Sequence, residues 1–106
     1  MRAITEDSMT VNDIEFRTFG TNPKHGNADL EVKAGTTGFR GKVPREKSAR
    51  CFLAIDCNNG DYFFRPFRNE KGRITGFGIC CCGDDALYSL LEAVDFIQEA
   101  LQDEIC

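Results

Sequence analysis

The chain has 106 residues with a formal net charge of −4, of which 42% are hydrophobic and 28% charged. This length is typical of a single domain and this composition excludes an intrinsically disordered chain, so we expect one domain spanning residues 1–106. The sequence contains neither a signal-peptide pattern nor an apolar run long enough to cross a membrane, and it therefore predicts a cytoplasmic protein.

Two strands are predicted in the first third of the chain. Apolar and polar residues alternate over residues 10–19, which indicates a strand of uncertain register. Residues 29–34 alternate strictly, with Leu30, Val32 and Ala34 on one face, as in a half-buried strand. The following segment, GTTGFRGKVPREKSA, contains three glycines and a proline and is predicted to be a long loop.

A three-stranded antiparallel meander is predicted over residues 50–80. Two β-prone runs flank Asn59-Gly60, which is the strongest short signal for a β-hairpin, and NEKG supplies a second turn before the strand RITGFGI. With these turns, Cys57 lies opposite Tyr62, and Tyr62 lies opposite Ile79. The sequence therefore predicts that Cys57 and the triple cysteine at 80–82 lie at the same end of the sheet.

A long amphipathic helix is predicted for the C-terminal segment. The acids after Gly83 favour a helix start, and apolar residues then recur at helical spacing for about six turns. These residues are Leu87, Leu90, Leu91, Val94, Ile97, Leu101 and Ile105. We expect this apolar stripe to face the sheet. The predicted fold is α+β: a four- or five-stranded, mostly antiparallel sheet packed by one long C-terminal helix.

Charge is distributed unevenly along the chain. Up to Arg73 there are thirteen Lys and Arg against ten Asp and Glu, a balance of +3, whereas the remainder has seven acids and no Lys or Arg, a balance of −7. Four of the helix acids recur three or four residues apart and form one negative stripe: Glu92, Asp95, Glu99 and Asp103. This stripe is either the ordinary solvent face of the helix or a surface for a basic protein that normally holds nucleic acid. The basic segment 40–50 is similarly either a solvated loop or a phosphate contact.

The six cysteines separate into two groups in the predicted fold. Cys51 and Cys106 belong to one end, and the other end holds Cys57, Cys80, Cys81 and Cys82. Four thiols at one end of a cytosolic domain predict a structural zinc site, in which an Asp or His25 replaces one thiolate if the cysteines do not all converge. The alternatives are small core residues, a redox or catalytic thiol, and disulfides in an exported protein.

Catalysis has little support in the sequence. His25 is the only histidine and is far in sequence from every thiol. The segment GTTGFRG lacks the Gly-Lys-Ser or Gly-Lys-Thr ending of a phosphate-binding loop, and no helix pattern follows it. We therefore expect a protein that is not an enzyme.

Three segments carry a resemblance to a known class of protein: LEVKAGTTGFRG, ARCFLAIDCNNGDYFF and GICCCGDDALYSLLEAVDFIQEALQDE. In a compact acidic chain they resemble the small proteins of phages and mobile elements of Firmicutes, and in particular anti-CRISPR proteins, some of which carry a cysteine-bound zinc. The resemblance implies a non-enzymatic inhibitor in the cytoplasm of a bacterial host cell.

Such an inhibitor would bind a basic, single-effector type II CRISPR nuclease and block loading of guide or target DNA, without binding nucleic acid or membrane itself. Anti-CRISPR proteins share no sequence pattern, so the resemblance assigns no site residue. The alternatives are a zinc- or thiol-containing regulatory domain with another partner, and a cysteine-based redox enzyme.

Overall fold

The computed structural model describes residues 4–37 and 50–105, with side chains as far as Asp103. These residues form an α+β fold, as the sequence predicts, with one long C-terminal helix packed on a mostly antiparallel sheet. In chain order, the elements are β1 (Thr5–Val11), β2 (Ile14–Thr21), β3 (Lys24–His25), β4 (Ala28–Thr36), β5 (Cys51–Asn59), β6 (Tyr62–Arg68), β7 (Ile74–Cys81) and α1 (Asp84–Ile105). Of the basic segment 40–50, which is predicted to be a loop, only Arg50 is among the described residues. Cys106 also lies outside the described residues.

The first two strands form a hairpin, whereas the sequence predicts a single strand over residues 10–19. β1 and β2 pair antiparallel, with Val11 opposite Ile14. The turn residues Asn12 and Asp13 have φ values of 49° and 66°. Positive φ at both positions of a two-residue loop gives a turn whose twist matches the paired strands, and Asn and Asp tolerate this conformation better than other non-glycine residues.

The central strand of the sheet is β4. Asp29 has Lys24 of β3 on one side and Asn59 of β5 on the other, so β3 and β5 lie along opposite edges of β4. β2 pairs with the same edge as β3, farther along β4. The predicted alternation is confirmed, because Leu30, Val32 and Ala34 are completely buried.

The predicted meander is wrong, because β5 pairs with β4 and not with β6. β6 and β7 form a separate two-stranded sheet in which Tyr62 lies opposite Cys81, two residues from the predicted partner Ile79. The tight turn at Asn59-Gly60 does not form, since Gly60 has a φ of 122° but Asn59 keeps strand conformation. The Asn59 side-chain amide instead donates to the Asn27 carbonyl at 2.8 Å, which holds the end of β5 against the sheet.

The predicted helix is confirmed, but its buried face is predicted only in part, since Ile97 and Leu101 of the apolar stripe pack against the core at its border. The buried residues of α1 are mostly small: Ala86, Ser89, Ala93, Phe96 and Ala100. Ala93, Phe96 and Ala100 pack in one core with the buried residues of β4. Small side chains let the helix approach the strand closely, and Leu87, Leu91 and Val94 remain exposed as a result. No helix within residues 4–37 and 50–105 has the length and apolar character needed to cross a lipid bilayer.

Residues 62–81, comprising β6, β7 and the turn between them, are called the arm. Neither of its strands packs extensively against α1 or the larger sheet. The molecule measures 46 × 44 × 18 Å, with a radius of gyration of 15.4 Å. A compact chain of this length would have a radius of gyration of about 13 Å. The molecule is therefore flat and extended, with the arm as a projection.

Candidate partner-binding site

The four predicted partner-binding acids lie along one side of α1. Successive members are three or four residues apart, which places Glu92, Asp95, Glu99 and Asp103 within one helical sector. Asp95, Glu99 and Asp103 are exposed, and Glu92 is half-buried at the border with the sheet. We call this sector the acidic flank. Its alignment agrees with the sequence prediction, because it depends only on helical geometry.

The acidic flank is tied to the sheet through a histidine. His25 of β3 places its Nε2 atom 3.2 Å from Oε2 of Glu92. The His25 ring also lies beside the Tyr88 ring, with 6.0 Å between the ring centroids. Sequence reasoning gave His25 no role beyond a replacement zinc ligand, because the contact joins residues 67 positions apart. The pair fixes which side of α1 faces β3.

The predicted zinc ligands lie around the base of the arm. Cys81 is opposite Tyr62 and Cys80 is opposite Phe63, so these two adjacent cysteines point to opposite faces of the arm. Cys82 follows the strand, where its backbone N–H donates to the Asp61 carbonyl at 3.1 Å. Cys57 is on β5, opposite Leu30.

Tyr62 brings two of these cysteines together. The Tyr62 hydroxyl donates to the Ala86 carbonyl at 2.8 Å. Burial raises the pKa of Tyr62, and the nearby Cys81 and Cys57 raise it further. Cys80 is on the other face of the arm. In the part of the chain that the structure describes, no three His, Cys, Asp or Glu side chains group closely enough to bind a metal. The four cysteines as placed do not form a zinc ligand set, and zinc stays a prediction from the sequence.

The thiols of Cys51 and Cys57 are not activated as nucleophiles. Burial raises the pKa of both thiols, and the negative charge of Asp56 raises the pKa of Cys57 further. A reactive cysteine needs the opposite shift, because the thiolate is the nucleophile. All five described cysteines are free thiols. The raised pKa values disfavour a nucleophilic role at these two positions, and Cys57 packs against the core.

A polar cleft of about 390 Å³ lies at the start of α1. It is lined by Asn27, Ala28, Asn59, Gly60, Asp61, Cys82, Gly83, Asp84, Asp85 and Ala86. Three of these residues are carboxylates and none is a Lys, Arg or His. The cleft therefore lacks the cationic side chains that hold an anionic substrate, and it is the junction between the arm, β5 and the helix.

Two exposed apolar surfaces were missed by sequence reasoning. On the arm, large apolar side chains are exposed at Phe63, Phe64, Phe67, Ile74 and Phe77. On α1, the exposed aliphatic residues are Leu87, Leu91 and Val94. The signal for the first surface is present in DYFFRPF, where aromatic residues occupy both faces of a strand and leave no polar face.

No protein-family model, curated protein or solved structure matches this chain.

Proposed function

We propose that this protein is a non-enzymatic inhibitor that uses the acidic flank of α1 to bind a basic nucleic-acid-binding enzyme. The specific candidate is a single-effector type II CRISPR nuclease in the cytoplasm of a bacterial host cell. The observation that supports this proposal is the row of four carboxylates on one sector of a helix that is packed on β4.

The flank has the dimensions and charge of a competitor for a nucleic-acid backbone. From Glu92 to Asp103 it extends about 16 Å along the helix axis, with the Cβ atoms of neighbouring acids about 5–6 Å apart. An RNA-guided nuclease holds its guide–target duplex in a positively charged channel, chiefly through the backbone. A rigid row of carboxylates can occupy part of such a channel and block guide or target DNA loading without any bond-making step.

Direct binding of the helix to nucleic acid is disfavoured on electrostatic grounds. α1 has seven carboxylates and no Lys or Arg, so it repels phosphates. A cysteine-based redox enzyme has less support than an inhibitor, since burial raises the pKa values of the Cys51 and Cys57 thiols. The proposed inhibition needs no metal.

The decisive experiment measures cleavage of target DNA by a guide-loaded type II nuclease with increasing amounts of this protein. We expect the native protein to stop cleavage. The double variant Asp95→Lys/Asp103→Lys should weaken inhibition at least about tenfold, since two attractive charges become repulsive. Binding of the native protein should also weaken as salt rises, because exposed charges are screened over about 8 Å at physiological ionic strength.

The matched control is Glu15→Lys/Asp56→Lys, which changes the net charge equally at exposed positions outside α1. It should inhibit like the native protein. If both double variants lose inhibition equally, net charge and not the acidic flank is responsible. A native protein that neither binds nor inhibits the nuclease would remove the CRISPR nuclease as the partner.

A further inference from the structure

One face of the arm has a run of apolar side chains, two of which are exposed aromatic rings. In an antiparallel pair, directly opposite residues share a face and successive residues alternate. The pairing therefore places Phe64, Pro66, Phe77 and Ile79 on one face. Phe77 is 59% exposed. The other face is partly covered by the arm itself, because Phe67 lies against Gly78, where an added Cβ would be 3.0 Å from the ring.

A second open apolar surface lies between α1 and the outer strand β5. Leu53 of β5 is opposite Ala34, which faces the helix, so Leu53 is on the helix side of the sheet. Leu91 and Val94 of α1 are 56% and 53% exposed, and Leu87 is exposed beside them.

The position of these helix residues follows from the His25 contact. Glu92 faces β3, which is on the opposite edge of β4 from β5. At about 100° per residue, Leu87 and Val94 fall on the other flank of the buried stripe, toward β5. We call Leu53, Leu87, Leu91 and Val94 the open groove, with Leu91 at its outer border, on the side of α1 away from the sheet.

The arm and α1 also have opposite charges. The arm contains Arg65, Arg68, Lys71 and Arg73 against the single acid Glu70, a balance of +3. α1 contains only acidic charges. The two apolar surfaces are therefore bordered by opposite charges, because Asp95 lies one helical turn from Leu91, and Lys71 and Arg73 lie at the turn of the arm.

The arm is held away from the groove of its own chain. At its base, the Cys82 N–H donates to the Asp61 carbonyl, and the Tyr62 hydroxyl donates to the Ala86 carbonyl. The first bond closes the base of the arm, the second joins β6 to the first turn of α1, and the outer part of the arm projects from the body. A second copy offers the same groove without breaking these bonds.

We propose that two copies of this chain associate by exchanging arms, so that the apolar face of each arm covers the open groove of the other copy. Because each chain supplies one arm and one groove, the contact closes with two-fold symmetry and every surface is used twice. A buried aromatic side chain removes about 150–250 Å² from solvent. Phe64 and Phe77 are 43% and 59% exposed, and the groove residues are about half exposed. The doubled contact therefore buries on the order of 1,000 Å² in total, which is the lower limit for a specific interface.

The outer strand edges add a second source of stability. Within residues 4–37 and 50–105, the outer edge of β5 and the outer edges of β6 and β7 have no strand partner. An incoming arm beside β5 brings backbone donors and acceptors next to that edge, so strand pairing accompanies the apolar contact.

Sedimentation equilibrium of the protein alone tests this interface. The native chain should have twice its monomer mass of 11.9 kDa. The arm variant Phe64→Asp/Phe77→Asp and the groove variant Leu91→Asp/Val94→Asp should each be monomeric, with native circular dichroism because the changed side chains are exposed. The control Ile4→Asp, at a side chain that is 62% exposed outside both surfaces, should remain dimeric.

Mixing the two variants separates arm–groove pairing from other contacts. The groove variant retains an intact arm and the arm variant retains an intact groove, so the mixture should dimerise at concentrations where neither variant does alone. Failure of the mixture to dimerise would overturn arm–groove pairing in favour of arm–arm or groove–groove contact.

Two results, on the native chain or on the arm and groove variants measured separately, overturn the proposal. A native chain that stays monomeric up to the solubility limit excludes the dimer. The arm would then pack on the helix of its own chain or bind a different protein. A dimer that survives both variants places the interface elsewhere. Because no nuclease is present in these measurements, their outcome is independent of the proposed inhibition.

Discussion

Asp29 is the residue at which three strands of the sheet meet. Its carboxylate accepts hydrogen bonds from the side-chain amides of Asn22 and Asn58, and Lys24 lies 3.8 Å away. The bond from Asn22 is the main reason that the pKa of Asp29 falls below its ordinary value of 3.8. A single carboxylate thus links the turn before β3 to the end of β5.

The lowered pKa of Asp29 predicts a pH dependence of stability. A carboxyl group with a depressed pKa in the folded state contributes stability above its ordinary pKa, and this contribution is lost as pH falls through the folded value. We expect Asp29→Asn to reduce the fall in melting temperature as pH is lowered from neutral through about 4 and below. Asn22→Ala should have the same effect, because it removes the main cause of the shift. An unchanged acid profile in both variants would contradict this account.

The buried face of α1 consists largely of small residues, and this predicts an asymmetric response to mutation. Ala93 is completely buried against β4, so Ala93→Leu forces additional methyl groups into a packed contact and should cost about 1–3 kcal/mol of unfolding free energy. Leu91→Ala, at an exposed position, should change the unfolding free energy of the monomer by less than about 0.5 kcal/mol. Urea denaturation at low protein concentration measures both. A larger effect at Leu91 would indicate that the leucine side chains are part of the core.

The elements differ in how far the sequence predicts them. The alternation around Val32 was sufficient to identify β4, because only one of its faces is apolar. The helix was predicted from its spacing, and so was the shared sector of Glu92 and Asp103. The helix orientation was predicted only in part. Ile97 and Leu101 pack at the border of the core, but alanines occupy the centre of the buried face, where hydrophobicity alone favours leucines.

Other features depended on contacts that are distant in sequence. Asn59-Gly60 is a strong local signal for a hairpin, but pairing with β4 keeps Asn59 extended and thereby overrides it. The predicted grouping of the cysteines was based on the strand register of the predicted meander, so it contained the same error in register. The His25–Glu92 contact joins β3 to α1, and no local pattern reveals it.

The whole molecule has a stable centre and a less protected projection. β4 is paired along both edges and covered by α1, whereas the arm is paired only within itself in the described chain. Amide exchange slows where opening is costly, so β4 should contain the most protected amides.

Hydrogen exchange measured over a range of protein concentrations tests this hierarchy together with the arm exchange. Dilution should accelerate exchange in residues 62–81, because it dissociates the dimer and exposes the arm. Exchange in β4 should stay unchanged, because its protection arises within one chain. Arm amides whose exchange rate is independent of concentration would contradict the exchange of arms.

The unpaired edges of β5 and of the arm also bear on how the protein behaves when it is concentrated or damaged. An exposed strand edge is a template onto which another chain can add, and addition without rotational closure continues into a fibre. In the two-fold dimer the β5 edge and the arm are both covered, so no third chain can add. A chain whose arm is cut within the turn at 69–72 would lose this closure and retain a free β5 edge. Proteolysis of that turn would then convert a self-limiting assembly into an aggregating one.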